Sequence, residues 1–225
     1  YYDQITFLPT DQNDNPMAIG VHFDGTGNNA FADKSVGKET NVFRMYELYN
    51  NQKTSTYITG SGTSSTTAPD LDGQPSVTIN ETSDFYQATG LDYSEKTAEA
   101  SKAILRIYDP SNPKLMLLDL IGFSRGAATA IGYSNDITNN GIYQNDNQII
   151  PGEFIVARSL LLYDTVASFG LAGNDINLGI DLSTPKDAVT IHAVAANEYR
   201  DNFDLESIKK SDGSYLNNNS IQKVF

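Results

Sequence analysis

The residues Gly122-Phe123-Ser124-Arg125-Gly126 set a serine between two glycines, each two positions away, at the end of an apolar run from Leu115 to Ile121. That spacing suits a nucleophile presented on a sharp strand-to-helix turn, because side chains at the glycine positions would collide with the turning backbone. The flanks carry more weight than the five letters. Leu115 to Ile121 has the composition of a buried strand, and Ala127, Ala128 and Ala130 would let a following helix pack close to it. An ordinary Gly-Ser turn is the competing role. A serine hydroxyl is a weak nucleophile at neutral pH, so acyl transfer at Ser124 needs a histidine base and a carboxylate that fixes the tautomer of that base.

Asp164 is the best-placed acid: it follows the apolar strand Phe154 to Tyr163, downstream of the serine, on the expected carboxyl edge of a sheet. Capping a turn is its alternative role. Asp119 lies inside the strand that leads to the serine and is expected to be structural. The chain has two histidines. His22 precedes the serine on an early strand and is expected to be a packed strand residue. His192 has the right order, serine then acid then histidine, but ends an apolar strand, where a satisfied core or site-lining histidine competes with a base. Oxyanion stabilisation requires two backbone N–H donors. One is expected from Arg125, the other from Gly25 or Thr26 in the loop Asp24-Gly25-Thr26-Gly27-Asn28-Asn29, for which a plain turn is the alternative. The loop has neither the Lys-Ser/Thr of a phosphate loop nor Rossmann spacing. No cofactor is implied. The carboxylates lack clustered metal-ligand spacing, so no metal is expected, with Asp24 and Asp84 left open as calcium ligands.

These positions need a scaffold, and the apolar pattern predicts one. Met17 to Phe23 reads as a strand entering the glycine-rich loop. Val42, Met45, Tyr46 and Tyr49 recur at helical spacing behind an N-cap at Thr40 or Asn41. Tyr57-Ile58 forms a short strand, and the segment 61–84, rich in Ser, Thr, Gly and Pro, reads as a long loop or insertion. A helix is predicted over Tyr93 to Tyr108 with Ala98, Ala103, Ile104 and Ile107 along one side, closed by Asp109-Pro110. After the helix that follows Ser124, Asn135 to Gln148 reads as a polar connection. Ala188 to Ala193 is a further strand, with a helix over Ala195 to Phe203. Strands alternating with helices define an α/β fold with a doubly wound, mostly parallel sheet flanked by helices.

The 225 residues suffice for one α/β domain, and a formal charge of −13 argues against a broad nucleic-acid or anionic-membrane surface. Cysteine is absent, which removes disulfides and thiol chemistry. No apolar run approaches a membrane span, so contact with lipid would be peripheral. Tyr1 opens the chain without a signal-peptide pattern, so the amino end reads as trimmed or left out.

In order, Phe23-Asp24-Gly25-Thr26-Gly27-Asn28-Asn29, Thr40-Asn41-Val42, Tyr57-Ile58-Thr59-Gly60-Ser61-Gly62-Thr63, Gly122-Phe123-Ser124-Arg125-Gly126-Ala127 and Tyr163-Asp164-Thr165-Val166-Ala167-Ser168 resemble the α/β-hydrolase family that includes the phospholipase effectors of bacterial type VI secretion. His192-Ala193-Val194-Ala195 through Glu198, Arg200 and Phe203 also fits. The resemblance implies a serine acyl hydrolase of phospholipid esters, with Ser124 as nucleophile and Asp164 as acid. It implies a base in a later Gly-x-His-x-Asp-x-Gly-Gly-Gly segment, expected to begin where this chain ends at Val224-Phe225, so that the catalytic domain is incomplete at its carboxyl end. It further implies a toxin made in the bacterial cytoplasm and delivered to a target cell, a neutralising immunity protein, and a secretion spike or tube component. Two other functions fit the residues: a catalytically silent binding or assembly module on the same scaffold, and a soluble esterase of small substrates.

Overall fold

The computed structural model describes residues 16–49, 52–63, 92–167, 180–196, 207–209, 212–215 and 219–225. At its centre is a six-stranded, wholly parallel sheet. Its strands are β1 (Met17–Phe23), β2 (Ser55–Ile58), β3 (Met116–Phe123), β6 (Ile155–Tyr163), β7 (Val189–Val194) and β8 (Ser220–Val224). They lie in the order β2-β1-β3-β6-β7-β8. The predicted α/β architecture is therefore the observed one. The order reverses direction beside β1 and β3, the two strands whose carboxyl ends carry the glycine-rich loop and Ser124. A crevice at such a reversal is where open α/β sheets place their sites.

Two apolar layers clamp the sheet. On one face Ile19, Val21, Phe23, Leu118, Leu120, Leu160 and Leu162 pack against α3 (Tyr93–Ile107) and α4 (Arg125–Asn140) through Ala100, Ile104, Ile131, Tyr133 and Ile137. On the other, Ile121 and Tyr57 meet Ala30 of α1 (Ala30–Asp33) and Val42 and Phe43 of α2 (Asn41–Leu48). Period-two alternation explains the split, since Leu120 and Ile121 are consecutive and point to opposite faces. Thr40 is the N-cap of α2, its Oγ1 accepting the Phe43 N–H at 3.2 Å.

Two predictions are corrected. Along α3 the buried side chains are Lys96, Ala100, Ala103 and Ile104, whereas Ala98 is exposed. The buried stripe is thus rotated, because a lysine occupies the position that an apolar pattern would have filled. Second, Asn135 to Gln148 is not a polar connection. α4 continues through Asn140 and stops at Gly141, after which β4 (Ile142–Gln144) and β5 (Asn147–Ile150) form an antiparallel hairpin. Asn135 stays in the helix because its buried amide donates to the Asp181 and Ser183 carbonyls, both at 2.8 Å. The hairpin turn uses Asn145 and Asp146 at φ 50° and 63°, a conformation these residues tolerate. The final residues contain a strand, β8, in parallel register with β7. The Ala195 to Phe203 helix beyond Ala196, the insertion beyond Thr63, and Asp84 lie outside the described residues.

Candidate active site

Ser124 stands at the junction of β3 and α4 with φ 54° and ψ −125°. A non-glycine residue rarely adopts this conformation, and holding it costs on the order of 1–3 kcal/mol that the surroundings must offset. They do so by backbone bonds: Ser124 N–H donates to the Tyr163 carbonyl at 2.8 Å, and its own carbonyl accepts from Ala127 and Val166. The flanking glycines are required by space. A Cβ on Gly122 would run into the backbone of Gly126 and Ala127, and one on Gly126 into the carbonyls of Phe23 and Asp24. The helix therefore begins directly against the end of β1. The Arg125 amide, at the first position of α4, points along the axis out of the positive end of the helix dipole. The Arg125 side chain is buried, and burial lowers its pKa while the charge of Asp92 works the other way.

The same bonds bring Asp164 to the serine, because β6 pairs with β3 in a register that sets Tyr163 beside Phe123. Asp164 also has positive φ, 43°. Its Oδ1 accepts the Ala195 N–H at 2.6 Å and its own N–H donates to the Ala193 carbonyl, so it is bound to the end of β7.

His192 occupies the next strand with both ring nitrogens engaged. Nε2 accepts the Thr165 N–H at 3.2 Å, which assigns the proton to Nδ1, and Nδ1 donates to Gln222 Oε1 at 3.2 Å. Ser207 and Ile208 donate to the same Gln222 oxygen, as expected of a carbonyl acceptor. The ring is buried, and burial lowers its pKa against the opposing effects of Gln222 and Asp164. His22 lies deeper, with Nδ1 on the Thr56 carbonyl at 3.0 Å and Tyr46 and Tyr49 edge-on around it. Among the described residues, neither histidine bonds to Ser124.

The loop after β1 is folded against the turn 59–63. Gly60 N–H donates to the Asn28 carbonyl at 2.9 Å and Gly27 N–H to the Ser61 carbonyl at 3.0 Å. Of the two loop amides expected to face the serine, that of Gly25 is taken up by Asp24 Oδ1 at 2.7 Å. Thr26 sits beside it with its Oγ1 buried and without a hydrogen-bond partner among the described residues. The Asp24 carboxylate is engaged by three donors, the Gly25 N–H and the Thr40 and Tyr57 hydroxyls. Among the described residues no group of three or more His, Asp or Glu side chains is arranged to hold a metal ion.

Two polar clusters were not foreseen. Asp119 accepts bonds from Tyr49, Ser159 and both Nε and Nη2 of Arg158. Burial alone would raise its pKa, but these bonds and the guanidinium charge outweigh it and hold the carboxyl below the usual range. Lys96, buried on α3, donates to Thr59 Oγ1 at 3.0 Å and the Thr63 carbonyl at 3.1 Å, while Asp92 accepts the Gly62 N–H. The signal for it was a lysine spaced four residues before Ala100 in a stripe that is otherwise apolar.

A parallel sheet flanked by helices, with a serine at positive φ at a strand-to-helix turn and an aspartate at the end of the neighbouring strand, is a hydrolase-like α/β architecture. The chain belongs to the family of type VI secretion phospholipase effectors, Tle1-like, catalytic domain, whose model matches residues 18–155. Among solved structures it is similar to the Tle1 effector bound to the VgrG spike from the Type 6 secretion system. The TM-score is 0.56 with 25% identity, over 94% of this chain and 50% of that one. An uncharacterized protein from Pseudomonas aeruginosa shares the fold, with a TM-score of 0.57 and 18% identity over 95% of this chain and 41% of the other. This chain thus spans about half the length of the Tle1 effector. No curated protein matches it in sequence.

Proposed function

We propose that this chain carries the nucleophile, acid and oxyanion loop of a serine phospholipase that uses a Ser-Asp-His triad and is delivered by type VI secretion against competing bacteria. The observation that carries the reading is Ser124 at positive φ at the start of α4, with no room for a side chain at Gly122 or Gly126. Ser124 Oγ attacks the ester carbonyl of a phospholipid while a histidine takes its proton. The Arg125 and Thr26 amides stabilise the oxyanion, and the alcohol leaves with that proton. Water then hydrolyses the acyl-serine by the same route. Asp164 orients the base. His192 is the candidate within the chain, but its engaged nitrogens favour a base from a histidine other than His22 and His192, as the family resemblance implies.

Relatives supply the remaining proposals. The Tle1 effector is bound to a VgrG spike, and a spike or tube component is the corresponding carrier here. An immunity protein in the producing cell and a peripheral encounter with the target membrane complete the proposal; among the described residues no helix is long and apolar enough to cross a bilayer.

The test is hydrolysis of fluorogenic phospholipid vesicles and short-chain esters by the full-length protein, with Ser124→Ala as control. Wild-type turnover should be lost in the variant while its circular dichroism is unchanged. A fluorophosphonate probe should label wild type at Ser124; a folded full-length protein that neither labels nor hydrolyses any ester would instead be a binding module.

A further inference from the structure

Asp24 lies at the end of β1 with 2% of its surface exposed, and every bond to its carboxylate comes from a donor. Oδ1 accepts the Gly25 N–H at 2.7 Å. Oδ2 accepts the Thr40 hydroxyl at 2.7 Å and the Tyr57 hydroxyl at 2.6 Å. The hydroxyl directions are fixed. Thr40 Oγ1 already accepts from Phe43 N–H, and Tyr57 Oη from Ala30 N–H at 3.1 Å, so each hydroxyl proton is turned to Asp24. An ionised, acceptor-only group is the one that satisfies all three donors. They come from the loop, the α2 N-cap and β2, so one carboxylate joins three segments.

The loop geometry gives that junction a consequence for chemistry. The Gly25 N–H is turned back onto Asp24, and the Gly25 carbonyl is turned into the loop, where it accepts Asn28 N–H at 3.0 Å and Asn28 Nδ2 at 3.1 Å. A Cβ on Gly60 would run into that same carbonyl, so the carbonyl faces the 59–63 turn. Because the Gly25-Thr26 peptide is planar and trans, the Thr26 N–H points the opposite way. Phe123 lies against Gly25, and Gly126 against the Asp24 carbonyl.

We propose that Asp24 is a positioning residue for acyl transfer at Ser124: its buried carboxylate withdraws the Gly25 amide and ties the loop to β2 and the α2 N-cap, and in the loop so held, with the Gly25 carbonyl bound by Asn28, the Thr26 amide is left as the oxyanion donor. The inference rests on the acyl-hydrolase reading above. Asp24→Asn is nearly isosteric but has one acceptor oxygen and an NH2 donor. Whichever way the amide turns, it either opposes the two hydroxyl protons or opposes the Gly25 N–H.

The experiment is steady-state hydrolysis of a short-chain ester by the full-length protein, comparing wild type, Asp24→Asn, Tyr57→Phe and the double variant. Asp24→Asn should lower kcat by about 10- to 100-fold with KM within about threefold, since an oxyanion donor acts in the transition state. Tyr57→Phe should lower kcat less, and the double variant should be no slower than Asp24→Asn, because Tyr57 acts through the same carboxylate. Folded Asp24→Asn with wild-type kcat, a loss confined to KM, or double-variant losses equal to the product of the singles would each overturn the proposal while wild-type turnover leaves the hydrolase reading standing. Absence of wild-type turnover would remove both. If Asp24→Asn does not fold, Tyr57→Phe and Thr40→Val carry the same kcat criterion.

Discussion

Charging the His22 ring would place a cation in a fully buried position, where the nearest compensation is one backbone carbonyl and the field of Asp119, so burial pushes its pKa down to about 4. The unfolded chain, with a histidine near 6.5, takes up that proton first. Stability from this group is therefore complete above pH 6.5 and is lost as pH falls from 6.5 towards 4, by about 3 kcal/mol over the window. Urea unfolding at stepped pH should show this slope in wild type, and His22→Gln, which keeps a donor but does not titrate, should remove it. A wild-type slope that survives in the variant would assign the proton uptake elsewhere. Residue identity was legible at Ser124 from its glycines. What it could not reveal was that Asp24 binds three donors, because Thr40 and Tyr57 are separated from it by 16 and 33 positions.

Where α4 meets the end of β1, contact is backbone to backbone. Gly126→Ala would drive a methyl group into the Phe23 and Asp24 carbonyls, and overpacking against backbone should cost roughly 1–3 kcal/mol. Ala98→Ser, on the exposed side of α3, should stay within about 0.5 kcal/mol. Denaturant midpoints of the two variants compare these directly; a similar large loss in both would return Ala98 to the buried stripe. The element pattern explains why α3 was misaligned. Periodicity alone follows apolar letters, whereas Lys96 is buried by partners on the 59–63 turn that a helical wheel does not contain. Asn135 misled in the same way, since a buried asparagine reads as loop until its two carbonyl partners are known.

Across the sheet, one row of side chains runs Ile121, Leu161, Ile191, Ile221 in register over four strands. Ile121 is buried, packed in the layer with α2, whereas Ile191 and Ile221 are 45% and 50% exposed. Leu118, on the opposite face, is fully buried between the sheet and its helices. In the 225-residue chain Leu118→Ala should cost about 2–5 kcal/mol, while Ile191→Ala should change stability by no more than about 0.5 kcal/mol. The measurement is the shift in urea midpoint at constant m. Equal losses at both positions would show that the Ile191 face is covered as thoroughly as the core.

The sequence by itself determined the α/β class, the strand-to-helix turn at Ser124 and the loop that accompanies it. Those features are local: apolar period, N-caps and obligatory glycines act within a few residues of one another. Strand order, the engagement of both His192 nitrogens, the convergence of three donors on Asp24 and the capture of the Gly25 amide by that carboxylate were decided only by the tertiary structure. Each depends on hydrogen bonds between segments distant in sequence, whose geometry exists only once the sheet has fixed their register.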